Sequence, residues 1–305
     1  MEKNEQCKII LESVSKKYGD TSALENISFS VNSSEIFGFL GPDGSGKTSL
    51  FKIIATLIKQ SEGKVSVNGL DGIIDYKKIR NIIGYMPERF SLYQDLSVEE
   101  NLGFFADIFG TSVKQNYEII RDIYSQIEPF KKRKAGKLSG GMKQKLALSC
   151  ALIHKPEILI LDEPTTGVDP VSRKEFWEIL KKLKKNGITI LVSTPYMDEA
   201  EMCDRTAFIL KGKLLVIDKP SNIREKFNRT LYSVKSSNFH KLITDLKEYS
   251  GTYNVYPFGE YLHFIPENNT GLNDIEKYLN SRNHASIEII KSPPEIEDCF
   301  MELSK

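Results

Sequence analysis

Two short stretches of this chain carry residue types whose spacing can do chemistry. The first is Gly41-Pro42-Asp43-Gly44-Ser45-Gly46-Lys47-Thr48, which fits G-x-x-x-x-G-K-[ST] and sits between an apolar run, EIFGFL, and a helical one, TSLFKIIATLI. Glycines let successive backbone N–H groups turn inward around a phosphate, and a helix N-terminus adds favourable partial charge. In this pattern Lys47 neutralises the β- and γ-phosphates and the Thr48 hydroxyl holds Mg²⁺. A chain of this length matches the pattern by chance on the order of once in a hundred, given glycine near 7%. The strand before it and the helix after it complete the context that a nucleotide cradle needs.

The second stretch is Ile158-Leu159-Ile160-Leu161-Asp162-Glu163. Four apolar residues read as a central strand that delivers Asp162 to the Mg²⁺ shell from its carboxyl end. Glu163, one residue on, can polarise an attacking water. Together the stretches imply binding of a nucleotide with Mg²⁺ and a carboxylate placed to activate water against it.

The elements that must position these residues follow from periodicity. Residues 8–36 alternate like antiparallel strands, whereas EIFGFL, EILILDEP and ITILVST are apolar runs of the kind covered on both faces. KVSVNG and IIGYMP are strand-like. SVEENLGFFADIFG, NYEIIRDIYSQIEPF, SGGMKQKLALSCALI and KEFWEILKKLKKNG read as helices, the last ending at a glycine. ILVSTPYMDEAEMCD reads as a buried strand, a turn and then a helix, with Pro195 at the strand tip, where an open α/β sheet collects its ligands. Such strand–helix alternation predicts an α/β fold with a mainly parallel sheet. Beyond Lys219-Pro220 the order becomes strand, helix, two strands, helix, strand over 229–292, which suits a small α+β domain of the ferredoxin-like kind. PEIEDCFMELSK adds a final helix.

Composition narrows the classes. The 305 residues suffice for one large domain and a smaller one, and 40% hydrophobic with 27% charged residues is ordinary for a globular protein. Lys+Arg 42 against Asp+Glu 41 gives no electrostatic case for a nucleic-acid partner. The run KKRKAGK at 131–137 reads as a solvated loop. No apolar run reaches the roughly 20 residues of a membrane span, and MEKNEQCKIILESVSKKYGD lacks the apolar centre of a signal peptide. Cys7, Cys150, Cys203 and Cys299 have no metal-like spacing and read as reduced thiols.

Between the two chemical stretches lies Leu138-Ser139-Gly140-Gly141-Met142-Lys143-Gln144-Lys145. With it, residues 8–218 closely resemble the ATP-binding subunits of ABC transporters. The resemblance implies a P-loop NTPase core over 8–220, with an antiparallel β subdomain and a helical subdomain at about 88–150. A small accessory domain at 228–305 would follow. It implies that Ser139, Gly140 and Gly141 grip the γ-phosphate bound to a facing subunit, so that two chains sandwich two ATPs head to tail. Tyr18 matches the aromatic that stacks on adenine, and Asp169 the loop that touches the partner ATPase. GYMPERFSLYQDLSVEENL is similar to the segment leading into the helical subdomain, which docks membrane-spanning subunits. PPEIEDCFMEL resembles the closing segment of drug- and resistance-type exporter ATPases. The implied place is cytoplasmic, on the inner face of the membrane through that partner.

Two positions depart from the family pattern. Glu88 stands where the family usually has Gln; a carboxylate still suits Mg²⁺. Pro195 stands where the family usually has His, a donor to the γ-phosphate. Losing one donor of this type costs about 10²–10³ in rate, unless Ser193, Thr194, Tyr196 or a water substitutes. The expectation is therefore an exporter ATPase with Glu163 and Lys47 as catalytic residues and Thr48, Asp162 and Glu88 around the metal. Its partner is a second ATPase, either a copy of itself or one with the usual His. The rivals are an ATP-gated clamp that hydrolyses little and a soluble ABC protein acting on nucleic acid.

Overall fold

The computed structural model describes residues 7–89, 91–267 and 270–304, so the readings made above on residues 1–6 and Lys305 lie outside it. The chain divides into two compact units, the second running from Ser221 to Glu302.

In the first unit, β1 (Cys7–Tyr18) and β2 (Thr21–Asn32) form a long antiparallel hairpin. β3 (Ile36–Leu40) leads through the glycine loop into α1 (Lys47–Ile54). β4 (Glu62–Val67) and β5 (Leu70–Asp71) complete an antiparallel sheet of order β2-β1-β4-β5. α2 (Tyr76–Ile82) then precedes β6 (Ile83–Met86). Next come α3 (Val98–Ile108), α4 (Val113–Tyr124) and α5 (Gly140–Leu152), which make up the helical subdomain. β7 (Ile158–Asp162), α6 (Pro170–Lys185), β8 (Thr189–Thr194), β9 (Arg205–Leu210) and β10 (Lys213–Asp218) finish the unit. The central sheet has the order β10-β9-β3-β8-β7-β6, parallel except for the β10–β9 pair.

Every residue of β3, β7 and β8 is buried, as expected of strands covered on both faces. Their side chains alternate between two cores. Phe37, Phe39, Ile158, Ile160 and Leu191 pack against α1 and the antiparallel sheet, where Phe29, Phe37, Phe39 and Phe51 touch at 5.1–5.6 Å between ring centroids. Ile36, Leu159, Leu161, Ile190 and Val192 face the other core, built with α3, α5 and α6. The same pleat carries Asp162 and Ser193, the next residues in each series, to the α1 side.

Several boundaries differ from the sequence reading for identifiable reasons. α1 ends at Ile54 rather than running on to Ile58. Thr56 takes φ +58°, and the Arg80 guanidinium donates to its carbonyl at 2.6 Å and its hydroxyl at 3.1 Å. α6 starts four residues before KEFW, because Asp169 caps it by accepting from Ser172 N at 3.0 Å and Pro170 occupies its first turn. The helix expected after Pro195 is a single 3₁₀ stretch, Met197–Met202.

The second unit contains α7 (Pro220–Glu225, beginning at the boundary), β11 (Tyr232–Lys235), α8 (Phe239–Glu248), β12 (Thr252–Phe258) and β13 (Tyr261–Pro266). α9 (Leu272–Ser281), β14 (Glu288–Lys291) and α10 (Ile296–Leu303) follow. The sheet is antiparallel, in the order β12-β13-β11-β14. Val234, Val255, Leu262 and Phe264 pack on Leu242, Leu246, Ile275 and Leu279 of α8 and α9. Buried Asp298 of α10 accepts from Tyr256 Oη, His263 Nδ1 and Glu295 N, each at 2.6 Å.

One buried amide organises the approach to the helical subdomain. Ser97 and Glu100 cap α3 reciprocally, and fully buried Asn101 accepts from Tyr93 N and donates to Tyr93 O, both at 2.9 Å, and to Ser97 O at 2.9 Å. Asn101→Ala leaves the Tyr93 amide without its acceptor and takes a side-chain donor from the Tyr93 and Ser97 carbonyls. It is expected to destabilise the first unit by about 2–4 kcal/mol, read as a lower urea midpoint at an unchanged slope.

Candidate nucleotide site

The site is assembled where β3, β7 and β8 end beside the start of α1. Two glycines are required by space. A Cβ on Gly41 would lie 2.1 Å from Ile209 O, and Gly46 combines φ +109° with a Cβ position 2.6 Å from Ala23 O. The loop closes on itself through Ser45 N to Pro42 O at 3.2 Å. Lys47 turns back under it, donating to Gly41 O at 2.8 Å and Pro42 O at 3.0 Å, and meets Glu163 Oε1 at 3.1 Å. Three acceptors saturate an ammonium group. Both side chains of the pair are almost wholly buried, at 4% and 8% exposure.

Glu163 adopts φ +49°, a strained conformation for a residue with a side chain. Its N–H donates to Ser193 Oγ at 2.9 Å, and Ser193 in turn donates to Asp162 Oδ1 at 2.7 Å. Thr166 Oγ1 lies 3.4 Å from the second Glu163 oxygen. Asp162 is fully buried. Burial raises its pKa above the usual carboxylate value, while the Ser193 and Thr48 hydroxyls pull it partly back. Its Oδ2, like the buried Ser45 Oγ, finds no hydrogen-bond partner among the described residues. An orphaned anionic oxygen beside a hydroxyl is a fitting place for a hard cation. Among the described residues no group of three or more His, Cys, Asp or Glu could hold a metal alone; a cation here would take its other ligands from phosphate or water.

A cavity of about 290 Å³ opens over these groups, lined among others by Asp43, Gly44, Lys47, Thr48, Glu88 and Glu163. The structure thus brings Asp43, Gly44, Gly46, Lys47 and Thr48 of the first stretch and Glu163 of the second to this cavity with Glu88, while Asp162 is buried and does not line it. Glu88 also lines a separate, mostly apolar groove of about 240 Å³, with Tyr85, Met86, Phe105, Phe109 and His154. There Phe109 stacks on His154 at 3.8 Å, and burial lowers the histidine pKa below its ordinary value. Tyr18 is half-exposed and does not line the cavity, but its Oη lies 3.4 Å from Oγ of Ser49, which does.

Ser139, Gly140 and Gly141 do not line this cavity. Ser139 caps α5 and is exposed with Gly140. Gly141 approaches the start of α6 so closely that a Cβ would lie 2.8 Å from Ser172 Oγ. Asp169 is exposed nearby, its carboxyl held below the usual range by the Ser172 amide. Around Pro195, the Ser193 and Thr194 hydroxyls are both engaged. Ser193 is held by Asp162 and Glu163, and Thr194 accepts from Tyr196 N at 3.1 Å on the opposite face of the sheet. The Tyr196 ring lies 4.4 Å from the Arg173 guanidinium. Ser193 as the bridge between Asp162 and Glu163 was not evident from the sequence; only the parallel register Asp162↔Ser193 reveals it.

Comparison with known proteins places this geometry. Residues 24–166 match the family model described as ABC transporter. Over 213 residues the chain is 40% identical to the probable multidrug ABC transporter ATP-binding protein YbhF of Escherichia coli; this covers 69% of the chain but 37% of that protein. It is 33% identical over 301 residues to the Nod factor export ATP-binding protein I of a Rhizobium species, covering 97% of the chain and 96% of the relative. A solved ATP-binding cassette, dimeric in a post-hydrolysis state with ADP and Pi, superposes with TM-score 0.63 at 27% identity, covering 69% of this chain and 98% of that one. With a glycine loop, Lys47 and Glu163 at one cavity and Asp162 buried next to Glu163, the chain belongs to the ATP-binding ATPases of the ABC transporter family.

Proposed function

We propose that this chain energises an ABC exporter by binding and hydrolysing Mg·ATP at the Lys47–Glu163 cavity. The observation that carries the proposal is the convergence of Lys47, Thr48 and Glu163 on one cavity at the strand tips, with Asp162 buried next to Glu163 and tied to it through Ser193. Gly41 to Thr48 cradle the phosphates, Lys47 holds the β- and γ-phosphates, and Tyr18 stacks on the base. Thr48 and Asp162, with Glu88 at the edge, would hold Mg²⁺, whose charge offsets that of the phosphates. Glu163 polarises the attacking water.

Exposed Ser139, Gly140 and Gly141, together with Asp169, would meet the ATP of a second ATPase subunit. The solved cassette that is dimeric supports this arrangement. Export rests on the relative named for Nod factor export, which spans nearly the whole chain. Membrane-spanning subunits on other chains would seat in the groove that Glu88 shares with the nucleotide cavity, leaving this chain on the cytoplasmic face. No helix among the described residues is long and apolar enough to cross a membrane itself. The domain limits proposed are 8–220 for the ATPase and 228–305 for the accessory domain, whose strand order supports a ferredoxin-like fold.

A second reading, slow hydrolysis beside a partner ATPase of usual sequence, is favoured by Pro195 and by the commitment of Ser193, Thr194 and Tyr196 to other contacts. Mg²⁺-dependent ATP hydrolysis by the full chain tests both. Glu163→Gln is expected to lower turnover by about 10²–10⁴. Pro195→His is expected to raise it by at least about tenfold, because one phosphate donor is restored. Turnover indifferent to Glu163→Gln would reject the assigned base, and no gain in Pro195→His would reject the slow-site reading.

The buried, unpartnered Asp162 oxygen gives a separate test. Because burial disfavours its charge, Asp162→Asn should raise the unfolding midpoint at pH 7 in Mg²⁺-free buffer. The same change should abolish the further stabilisation that Mg·ATP gives the unsubstituted chain over ATP with EDTA. Thermal scans of both proteins with and without Mg²⁺ check the pair of outcomes.

A further inference from the structure

The backbone at Glu163 is strained, and a strained turn persists only where its surroundings restrain it. One restraint is Ser193 on the Glu163 amide, described above. A second grips the other side of the turn. Thr165, 1% exposed, donates to Glu199 Oε2 at 3.1 Å, and Glu199 is itself 2% exposed. Its other oxygen, Oε1, forms an ion pair with Arg173 Nε at 3.3 Å without a hydrogen bond, while Arg173 Nη2 donates to Asp198 Oδ2 at 2.7 Å. The Arg173 amide donates to Asp169 O at 2.9 Å, which fixes this arginine to the start of α6. The turn closes through Thr166 N to Glu163 O at 3.3 Å and Val168 N to Thr165 O at 3.2 Å.

The segment around Pro195 therefore holds the Glu163 turn from two directions, through Ser193 before the proline and Glu199 after it. A buried carboxylate keeps its charge and direction only when paired, and Arg173 is the partner that does this. We propose that Arg173 and Glu199 are positioning residues for Glu163, setting its carboxylate through Thr165. The ion pair also joins three pieces, the Glu163 turn, the Pro195 segment and the Asp169 loop, so that displacement of Asp169 reaches Glu163 through Arg173. This inference rests on the reading of Glu163 as the water-polarising carboxylate.

The test uses the full chain carrying Arg173→Met with Glu199→Gln, which removes the ion pair without stranding either charge, and Thr165→Val as an independent cut. Amide exchange in the peptide covering 163–169 is expected to quicken by about tenfold or more while the unfolding midpoint of the unit holds. Turnover should fall roughly ten- to a hundredfold from misplacement of the reacting group, with the Mg·ATP Kd within about twofold of the original. In a Glu163→Gln background the same substitutions should lower residual turnover no further. Unchanged exchange at 163–169 in the folded variants overturns the proposal, as does a loss of nucleotide affinity equal to the loss of turnover. A chain whose turnover ignores Glu163→Gln would remove the catalytic reading alone, because exchange still reports whether the network holds the turn.

Discussion

The buried pair of Lys47 and Glu163 is the constraint around which the first unit is organised. Two opposite charges taken out of water are tolerable only with close contact and with their remaining bonding capacity met. The ammonium meets this by donating to Gly41 O and Pro42 O as well as facing Glu163 at 3.1 Å. Those carbonyls point inward only because the loop between β3 and α1 is bent by residues that side chains would obstruct, Gly41 above all. Asp162 leaves the pocket with one further negative charge and an oxygen without a partner. With Asp43 and Glu88 lining the cavity, one positive group stands against four acidic ones, which suits a divalent cation arriving with phosphate.

Sheet geometry, rather than local propensity, brings these groups together. Parallel pairing aligns Asp162 with Ser193, and the pleat turns both toward α1 while Leu161 and Val192 face the helical subdomain. A one-residue slip in β7 would point Asp162 into the opposite core. The all-buried composition of β7 and β8 fixes them as interior strands, and the Phe29–Phe37–Phe39–Phe51 cluster anchors β3 against α1. Stability and chemistry are thus specified by the same alternation.

Much of this was legible in the sequence where a residue's local surroundings decide its fate. The glycine loop, the apolar strand ending in Asp162-Glu163 and the Ser139 cap each carry their signal within a few residues. What was not legible depended on distant partners. The end of α1 is set by Arg80 reaching back to Thr56, 24 residues away. The tie between Thr165 and Glu199 spans 34 positions. The three hydroxyls near Pro195 looked interchangeable in the sequence, yet strand alternation and the Arg173 guanidinium give each a different neighbour. Asp169 appeared as a loop residue and proves also to be the cap that starts α6 four residues early. Ser139, Gly140 and Gly141 do not line the chain's own cavity.

The central claim is that Lys47 is shared, resting on Glu163 and on loop carbonyls until a phosphate takes their place. Mg·ATP affinity, measured by calorimetry on the full chain and on Glu163→Gln, tests this most directly. Removing the Glu163 charge frees Lys47 and lifts a repulsion from the incoming phosphate. The account therefore expects tighter binding by roughly three- to tenfold, about 0.7–1.4 kcal/mol. Equal or weaker affinity in Glu163→Gln would show that Lys47 and Glu163 do not compete with phosphate, and would contradict it.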